Sequence, residues 1–529
     1  MRPFPKTPKF KDQDRLGHLL LLCLCLFVFW TNIRAVDFGE HFDESHPILE
    51  PIQMAVLTGM FLPRVYRYPS FCFDLGLVAL IPDLVKSYVV HKGHPPEPSI
   101  DLSQVVDDKA YVLRMRSIVI LFSLVSMVSL YVGILRWRKN WIEAFLASAI
   151  YGLSWETAYH NRFFTPDSPM TQFGSLVLLF LIFAVTSERP YRYLRLGAIG
   201  AGLAAGCKYP SALLIVPVLI AAYRLRGRLG QPLALVKLSV LSAFAYLCTT
   251  PGTVIEPSEF WRWVSWQMSM YAGGRGGYTV PAGFHHLFLM VCYFALALFS
   301  RFSAIAVFFF LFTLVGAYRL IAQEGDKGLL ILIFPVLYIY LFSLQQTMVV
   351  RNLMVMVPIF ALCAARGLVD TYEMTKIPAL KWGMIGLVVS MLLINGAWLL
   401  YASETITNRV KANYIYELSE YLTLHPSRNF SLSPAVQDAY FSRVGSLPPN
   451  AFANPRATST LFVFYDSEIP KDVYEHWRPN HFNYVYKCFG PLNINLNYYD
   501  PHLVQNRHII ILRARDAATI GLVPSDGGF

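Results

Sequence analysis

The chain has 529 residues, of which 55% are hydrophobic and 15% are charged, and its mean hydropathy is +0.42. This composition is too apolar for an ordinary soluble protein of that length, and it indicates a membrane protein with many spans. The net charge of +11 would suit nucleic-acid binding. The Lys and Arg residues, however, lie in short clusters between apolar runs, as in cytoplasmic loops of membrane proteins, so nucleic acid is discounted as a partner.

The first apolar run, 16–36, follows a basic N-terminal segment. It is longer than the apolar core of a secretory signal, and no convincing small-residue cleavage site follows it. We therefore expect a retained first span with a cytoplasmic N-terminus.

A long outer loop, 37–114, is predicted after the first span. Its apolar stretch 71–90 is interrupted by Asp74, Pro82 and Asp83, and we expect that stretch to lie along the membrane surface. If it crossed the membrane, the basic cluster RWRK that ends the next span would be extracytoplasmic, against the positive-inside rule.

Ten further spans bring the predicted total to eleven, with the basic loops on the cytoplasmic side. They are 115–135, 141–159, 170–186, 196–207, 211–223, 233–250, 303–319, 329–344, 353–369 and 382–402. Two of them are short and meet at the sequence KYPS, as broken helices do where the backbone lines a cavity.

The end of the chain, 403–529, is polar and rich in Asn, Pro and Tyr. It has strand-like runs at Leu461–Tyr465 and His508–Leu512 and a helical pattern at Arg409–Leu424. We predict a small extracytoplasmic α/β domain there, and a transmembrane domain over 1–402.

The stretch VDFGEHFDESHP directly after the first span places six ionisable side chains at a membrane boundary. Such groups are costly in lipid and are usually functional, which makes Asp43 and Glu44 the first candidates for chemistry. An alternative is that Asp43 or Ser45 caps a helix that begins near Pro47. Capping accounts for one acid only, and it is compatible with catalysis.

Other charged residues are predicted on the same outer face. Arg162 and Asp167 lie in HNRFFTPDSP. For Asp167, a role as a helix cap is as well supported as a functional role. Arg351 opens a span on the outer side, where it can grip a phosphate or only anchor a helix end, and Lys208 in the helix break has the same two interpretations. Arg275 lies in the Gly-rich loop YAGGRGGY, whose glycines allow close approach of a ligand.

The order of these motifs resembles the C-type (GT-C) membrane glycosyltransferases over most of 16–402. FDESHP, PDSP, GLAAGCKYPSAL, TPGTVIEPSEF and YAGGRGG follow one another as they do in the protein O-mannosyltransferase and aminoarabinose transferase superfamily. The WWDYG signature of the oligosaccharyltransferase branch is absent, which disfavours that branch.

The resemblance implies a role for each acid. Asp43 matches the first-loop acid, which acts as general base toward the acceptor, and Glu44 is its acidic neighbour. Asp167 matches the second outer-loop acid. A divalent cation bridging Asp43 and Asp167 is compatible with this arrangement but is not required by it.

The resemblance also implies the donor site. Lys208 and Arg351 match positions that bind the lipid phosphate, and Arg162 matches the basic residue before the second acid. Arg275 stands where the superfamily often has His, so its role in phosphate binding stays open. The implied reaction is inverting transfer of a sugar from polyprenyl or dolichyl phosphate to a protein, lipid or polysaccharide acceptor at the outer face of a bacterial inner membrane or of the endoplasmic reticulum.

Two other classes of function stay open at this point. A secondary transporter would also have broken helices and charged membrane residues, but it needs polar groups through the midplane, and several spans have hardly any. A non-catalytic assembly protein would not need Asp43, Lys208 and Arg351 to converge.

Overall fold

The structure of the chain is a computed structural model that describes residues 12–37, 42–90, 105–106, 109–274, 278–411, 414–452, 461–465, 485–489 and 509–513. The chain divides into two compact units. The helical unit is Met1–Val36 with His41–Ser403, and the C-terminal unit is Asp37–Glu40 with Glu404–Phe529.

The chain up to residue 411 forms α-helices that are interrupted at a few points by wider or tighter turns. The α-helices are Asp12–Arg34, Phe42–Glu44, Glu50–Thr58, Phe71–Ala79, Ile81–Val90, Lys109–Arg138, Trp141–Gly152, Trp155–His160, Asp167–Thr186, Pro190–Ala205, Ile215–Arg224, Arg226–Leu229, Ala234–Thr249, Gly252–Ile255, Pro257–Gly273, Phe284–Leu296, Ser303–Glu324, Asp326–Ser343, Val357–Met374 and Pro378–Lys411. Ser45–Leu49 is a π-helical turn, and Tyr209–Leu214 and Val350–Met356 are 3₁₀-helical.

Seven helices in the described part of the chain are long and apolar enough to cross a membrane. They are Arg15–Arg34, Ala110–Arg138, Asp167–Thr186, Ser303–Glu324, Asp326–Ser343, Val350–Met374 and Pro378–Thr407. At 1.5 Å per residue, the shortest of them is about 27 Å long, which is close to the ~30 Å of a bilayer core. All seven coincide with predicted spans, and the predicted polytopic helical fold is confirmed.

The other four predicted spans are shorter helices. The predicted span 141–159 is two helices, because Ser154 interrupts the first and caps the second by accepting a hydrogen bond from Thr157 N. The remaining three are Pro190–Ala205, Tyr209–Arg224 and Ala234–Thr249. Phe284–Leu296 is a further apolar helix inside the predicted outer loop 251–302, so the count of eleven spans stays a prediction.

The stretch that we expected along the membrane surface forms two helices of 9 and 10 residues, Phe71–Ala79 and Ile81–Val90. Neither reaches the ~20 residues that a span needs. They pack against the beginning of Lys109–Arg138, where the Tyr111 hydroxyl donates to Gly76 O at 2.8 Å. The outer-loop segment is thus fixed to the end of a long helix.

The helix break predicted at KYPS is present. Lys208 is extended, with φ −153° and ψ 125°, and Tyr209–Leu214 is a 3₁₀ turn that leads into the next helix. Pro210 lies at the start of this 3₁₀ turn, where its missing N–H leaves no helical hydrogen bond unmade. The break holds the Lys208 side chain inside the helical unit instead of on a helix surface.

Two helices, Ser303–Glu324 and Val357–Met374, approach closely through glycines. A Cβ at Gly316 would collide with the carbonyl oxygen of Cys363, and a Cβ at Gly367 would collide with that of Phe312. Small residues at such crossings permit the close backbone packing that drives helix association in membranes.

We expect Gly316→Ala to lower the thermal unfolding midpoint of the detergent-solubilised protein, because the added methyl forces the two helices apart. Gly383→Ala is the matched control, since a Cβ there meets no atom within 4 Å and alanine favours helix over glycine. Equal midpoints for the two variants would contradict the close contact at Gly316.

The described part of the C-terminal unit contains a five-stranded sheet of order β2-β1-β3-β5-β4. The strands are β1 (Phe430–Leu432), β2 (Ala451–Phe452), β3 (Leu461–Tyr465), β4 (Val485–Phe489) and β5 (Ile509–Arg513). β1 pairs parallel with β2 and β3, and β5 pairs antiparallel with β3 and β4.

Two helices, Tyr414–Leu424 and Pro434–Val444, complete this unit. Their buried side chains share an apolar core with the sheet, including Leu418, Phe430 and Val463. The predicted strands at 461–465 and 508–512 and the predicted α/β character are confirmed, with the second strand shifted by one residue.

Candidate active site

Asp43 and Asp167 lie in a buried cluster of charged side chains in the helical unit. Both residues are 0% exposed. The Arg351 guanidinium pairs with each of them, through Nη2 to Asp43 Oδ2 and through Nε to Asp167 Oδ2 at 3.5 Å. One cation therefore joins the two carboxylates that the sequence assigns to separate outer loops.

Lys208 is the second cation of this cluster. Its Nζ lies 2.5 Å from Asp167 Oδ1 and 2.5 Å from Asn352 Oδ1. The Asn352 Nδ2 group donates to the Tyr271 hydroxyl at 2.9 Å. Lys208 is 3% exposed and Arg351 is 4% exposed, so neither has the solvent contact of a snorkelling side chain.

The segment after the first short helices supplies a third cation, which the sequence analysis missed. Arg67 Nη2 lies 3.5 Å from Asp43 Oδ1, and the Tyr68 hydroxyl donates to Asp43 Oδ2 at 3.3 Å. The one available signal was their place in the predicted outer loop 37–114, where Arg67 directly precedes the sequence YPS of residues 68–70. Their reach to Asp43 depends on the folded path of the segment.

Tyr68 acts as a hydrogen-bond donor in this cluster. Burial raises the pKa of its phenol well above the ordinary value, and the neighbouring Asp43 carboxylate raises it further. The phenol therefore keeps its proton at neutral pH and can donate a hydrogen bond.

Among the described residues, cations outnumber carboxylates in the cluster. Its two carboxylates, Asp43 and Asp167, face three cations, Arg67, Lys208 and Arg351. A buried charge is costly unless it is compensated. An anion of one or two negative charges would therefore complete the site.

Local backbone structure positions each member. Asp43 lies in the helical turn just before the π-helical turn Ser45–Leu49, and Arg351 lies in the 3₁₀ segment that precedes Val357–Met374. Asp167 is the first residue of its helix, whose N-cap residue, Pro166, makes no side-chain capping bond. The Asp167 carboxylate contacts Lys208 and Arg351 instead.

Glu44, the second predicted acid, has a different set of contacts. Arg116 donates to it from Nε at 2.9 Å and from Nη2 at 2.5 Å, and Phe164 N donates to Oε1 at 2.6 Å. Both Glu44 and Arg116 are 2% exposed. The carboxylate fastens the first loop to the segment before Asp167, which is a positioning role, and its predicted catalytic role stays a prediction.

We expect Glu44→Gln to lower the unfolding midpoint strongly, because it removes the charge that pairs with the buried Arg116 guanidinium. Breaking such a buried pair costs about 3–5 kcal/mol. Thermal unfolding in detergent, followed with a thiol-reactive dye, measures the change.

The matched control is Asp83→Asn, which breaks a pair with Arg114 whose side chains are 23% and 32% exposed. A partly exposed pair contributes at most about 1 kcal/mol. Loss of activity in Glu44→Gln with an unchanged midpoint would instead assign Glu44 to the chemistry.

Two predicted phosphate-binding residues are not seen in the cluster. Arg162 is fully buried, donates from Nε to Asn32 Oδ1 at 3.0 Å and lies over the Trp155 ring, 5.0 Å from its centroid. Arg275 lies outside the described residues. The phosphate-binding roles of both stay predictions.

The motifs whose order carried the resemblance come together around the segment that contains Arg67. The Tyr66 hydroxyl donates to Glu256 Oε2 at 2.9 Å, and the Tyr209 hydroxyl donates to Tyr66 O at 2.9 Å. Ser70 N donates to Thr250 Oγ1 at 3.2 Å. The YPS, CKYPS and TPGTVIEPSEF motifs therefore form one wall of the site.

A divalent cation bridging the two carboxylates stays a prediction. The Arg351 guanidinium contacts both Asp43 and Asp167, so a positive group already has the bridging position. Within the described residues, no group of three or more His, Cys, Asp or Glu side chains could hold a metal ion.

A small void adjoins the cluster. It is lined by Arg67, Tyr68, Tyr271 and Arg351, among others, and its volume is about 10 Å³. That is room for about one water molecule. The cluster is thus nearly closed in this conformation.

The fold and the site together define a class of protein. It is a multi-span helical membrane protein with a buried, cation-rich site in which two carboxylates approach one guanidinium. Residues 104–253 match the model of a family described as dolichyl-phosphate-mannose-protein mannosyltransferase. The expected resemblance to the protein O-mannosyltransferase and aminoarabinose transferase superfamily is confirmed over that segment, which includes Asp167 and Lys208.

Comparison with solved structures gives several similar chains. ArnT from Cupriavidus metallidurans bound to undecaprenyl phosphate is 11% identical, with 94% of this chain and 98% of that chain covered and a TM-score of 0.49. The oligosaccharyltransferase AglB from Archaeoglobus fulgidus, in complex with an inhibitory peptide and a dolichol-phosphate, is 11% identical, with 89% and 72% covered and a TM-score of 0.49.

The S. cerevisiae protein O-mannosyltransferase Pmt1-Pmt2 complex bound to the sugar donor is 14% identical, with 52% of this chain and 36% of that chain covered and a TM-score of 0.33. A search of curated protein sequences gave no match.

Proposed function

We propose that the protein is an inverting glycosyltransferase that moves a sugar from a polyprenyl- or dolichyl-phosphate donor to a hydroxyl or similar nucleophile of an acceptor. The observation that carries this proposal is the pair of buried carboxylates held among three cations. The family match over residues 104–253 supports it, as do the phosphate-linked lipids named with two of the similar structures.

The cations would bind the donor phosphate. Arg351 offers a planar fork that suits two phosphate oxygens, while Lys208 and Arg67 add point charge and further donors. In a nearly water-free site these groups stabilise the charge that develops on the departing phosphate. The void beside Arg351 adjoins these groups and is lined by Arg67, Tyr68 and Tyr271 as well.

Asp43 would act as the general base. The acceptor oxygen forms a bond to the anomeric carbon while the bond from that carbon to the phosphate oxygen breaks, and the acceptor proton passes to Asp43. The bond electrons leave with the lipid phosphate. Arg351 and Arg67, which contact Asp43 in this structure, would then also contact the donor phosphate.

Asp167 would hold Lys208 and Arg351 in place for the phosphate. Its two oxygens contact one cation each, so it orients both without touching the reacting atoms. The positive-inside rule assigns this end of the helices to the extracytoplasmic face and the N-terminus to the cytoplasm.

The decisive experiment measures donor turnover by the purified full-length protein in lipid nanodiscs. Dolichyl-phosphate mannose and undecaprenyl-phosphate aminoarabinose serve as donors, with peptide, lipid and glycan acceptors, and free polyprenyl phosphate is the measured product. Sugar movement across sealed liposomes without turnover would favour a transporter. Donor binding with neither turnover nor transport would favour an assembly protein.

We expect Asp43→Asn to reduce turnover roughly a hundredfold or more, because general-base catalysis contributes on that scale, while polyprenyl phosphate still binds. Asn caps helices about as well as Asp, so a purely structural role of Asp43 predicts near-normal turnover. Asp326→Asn is the control, since Asp326 lies in an exposed pair with Arg224. This variant should turn over the donor at the normal rate.

We expect Arg67→Gln to weaken binding of polyprenyl phosphate roughly tenfold or more, because a hydrogen bond to a charged group is worth about 1.5–3 kcal/mol. Arg64→Gln, in the same segment and 56% exposed in its side chain, should bind normally. Tryptophan fluorescence during titration with polyprenyl phosphate measures the affinity of both variants, since Arg67 lies over Trp266. Unchanged affinity in Arg67→Gln would remove Arg67 from the donor site.

A further inference from the structure

A second charged cavity lies at the other end of the helices that carry the candidate active site. We call it the basic cavity; its charged and polar lining comprises Arg136, Trp137, Lys139, Thr186, Glu324 and Lys327, and its volume is about 480 Å³. That size falls in the range of about 300–1,000 Å³ that is usual for ligand pockets. Nothing in the proposed reaction uses it.

Its distance from the active site follows from helix length. Asp167 begins a 20-residue helix and Thr186 ends it, so the two residues are separated by about 28 Å at 1.5 Å per residue. That length is close to the thickness of a bilayer core, about 30 Å. The basic cavity therefore lies at the opposite membrane boundary.

The cavity has uncompensated positive charge. Arg136, Lys139 and Lys327 line it, and within the described part of the chain none of their side chains forms an ion pair or a hydrogen bond. Its one acid, Glu324, is paired with Arg138 Nη1 at 3.0 Å. Three cations thus face a shared space without a counter-charge.

Helix electrostatics explains only part of this arrangement. Arg136 lies in the last turn of Lys109–Arg138, where a cation is favoured by the helix dipole. Lys327 lies in the first turn of Asp326–Ser343, where the dipole opposes a cation. Its position beside the cavity is accounted for by a bound anion and not by its own helix.

The backbone conformation of Lys139 also favours a bound ligand at the cavity. Its φ is +54°, in the left-handed region that a residue other than glycine or asparagine adopts at a cost of about 1–2 kcal/mol. The residue in this strained conformation is Lys139 itself, and its side chain lines the cavity.

The apolar part of the lining suits a lipid more than a free ion. Trp137 and Val185 line the cavity beside the cations, and tryptophan is enriched at the level of lipid headgroups. Basic cavities between helices at a membrane boundary attract phosphate-bearing headgroups.

We propose that the basic cavity binds the phosphate of an anionic phospholipid from the leaflet on that side of the membrane. On the positive-inside rule this is the cytoplasmic leaflet. Arg136, Lys139 and Lys327 contact the phosphate, while Trp137 packs against the glycerol region. The lipid contacts three helix ends, those of Lys109–Arg138 and Asp167–Thr186 and the beginning of Asp326–Ser343.

The test uses the full-length protein in detergent, titrated with phosphatidylglycerol or phosphatidylcholine and measured by native mass spectrometry. The triple variant Arg136→Gln, Lys139→Gln, Lys327→Gln should bind phosphatidylglycerol about a hundredfold more weakly, at about 1 kcal/mol for each charge. The matched control is Arg189→Gln, Arg192→Gln, Arg195→Gln. It removes the same charge from exposed residues outside the cavity.

Wild-type preference for phosphatidylglycerol over phosphatidylcholine, kept in the control and lost in the triple variant, supports the site. Equal loss in both triple variants would mean that the attraction is only to net charge and would overturn the proposal. So would equal binding of both lipids by the wild type, or stronger competition by inorganic phosphate than by phosphatidylglycerol. If the triple variant does not fold, Lys327→Glu gives the same comparison with one exposed residue.

Discussion

The double pairing of Arg351 is the interaction on which the polar part of this protein depends. Asp43 and Asp167 are fully buried in an apolar helical unit, and ionised carboxylates persist there only with close counter-charges. Arg351 supplies one cation to both. The first loop, the second loop and the segment before Val357–Met374 are therefore fixed relative to one another by charge compensation, and removing one partner would expose the others to the cost of burial.

The surrounding structure keeps this charged cluster in place without adding reactive groups to it. Glu44 and Arg116 form a separate buried pair that also binds Phe164 N, directly before the segment that ends at Asp167. The helix break at Lys208 and the hydrogen bonds of Tyr66 bring the second and third cations, Lys208 and Arg67, to the same point. The Arg67 segment contacts Asp43 through both Arg67 and Tyr68.

The two ends of the same long helices differ in how their charged side chains are compensated. At one end, within the described residues, two carboxylates face three cations, so a single charge remains to be compensated. At the other end, Arg136, Lys139 and Lys327 face no opposing acid except one that is already paired. A resident anionic lipid would satisfy that end permanently, so the helices that carry the reaction site would be anchored at the far boundary.

The sequence by itself determined the membrane fold. The length of the apolar runs and the positions of Lys and Arg are properties of the linear sequence, and they decide which segments cross a bilayer and in which orientation. It also identified Asp43, Asp167, Lys208 and Arg351, since charged residues beside apolar runs are conspicuous and their order resembles a known superfamily. Only the tertiary structure decided that Arg351 joins both acids, that Glu44 belongs to Arg116, and that Arg67 and Tyr68 reach Asp43. The physical reason is that ion pairs depend on distances of a few ångströms between segments far apart in the chain, and residue spacing contains no information about those distances.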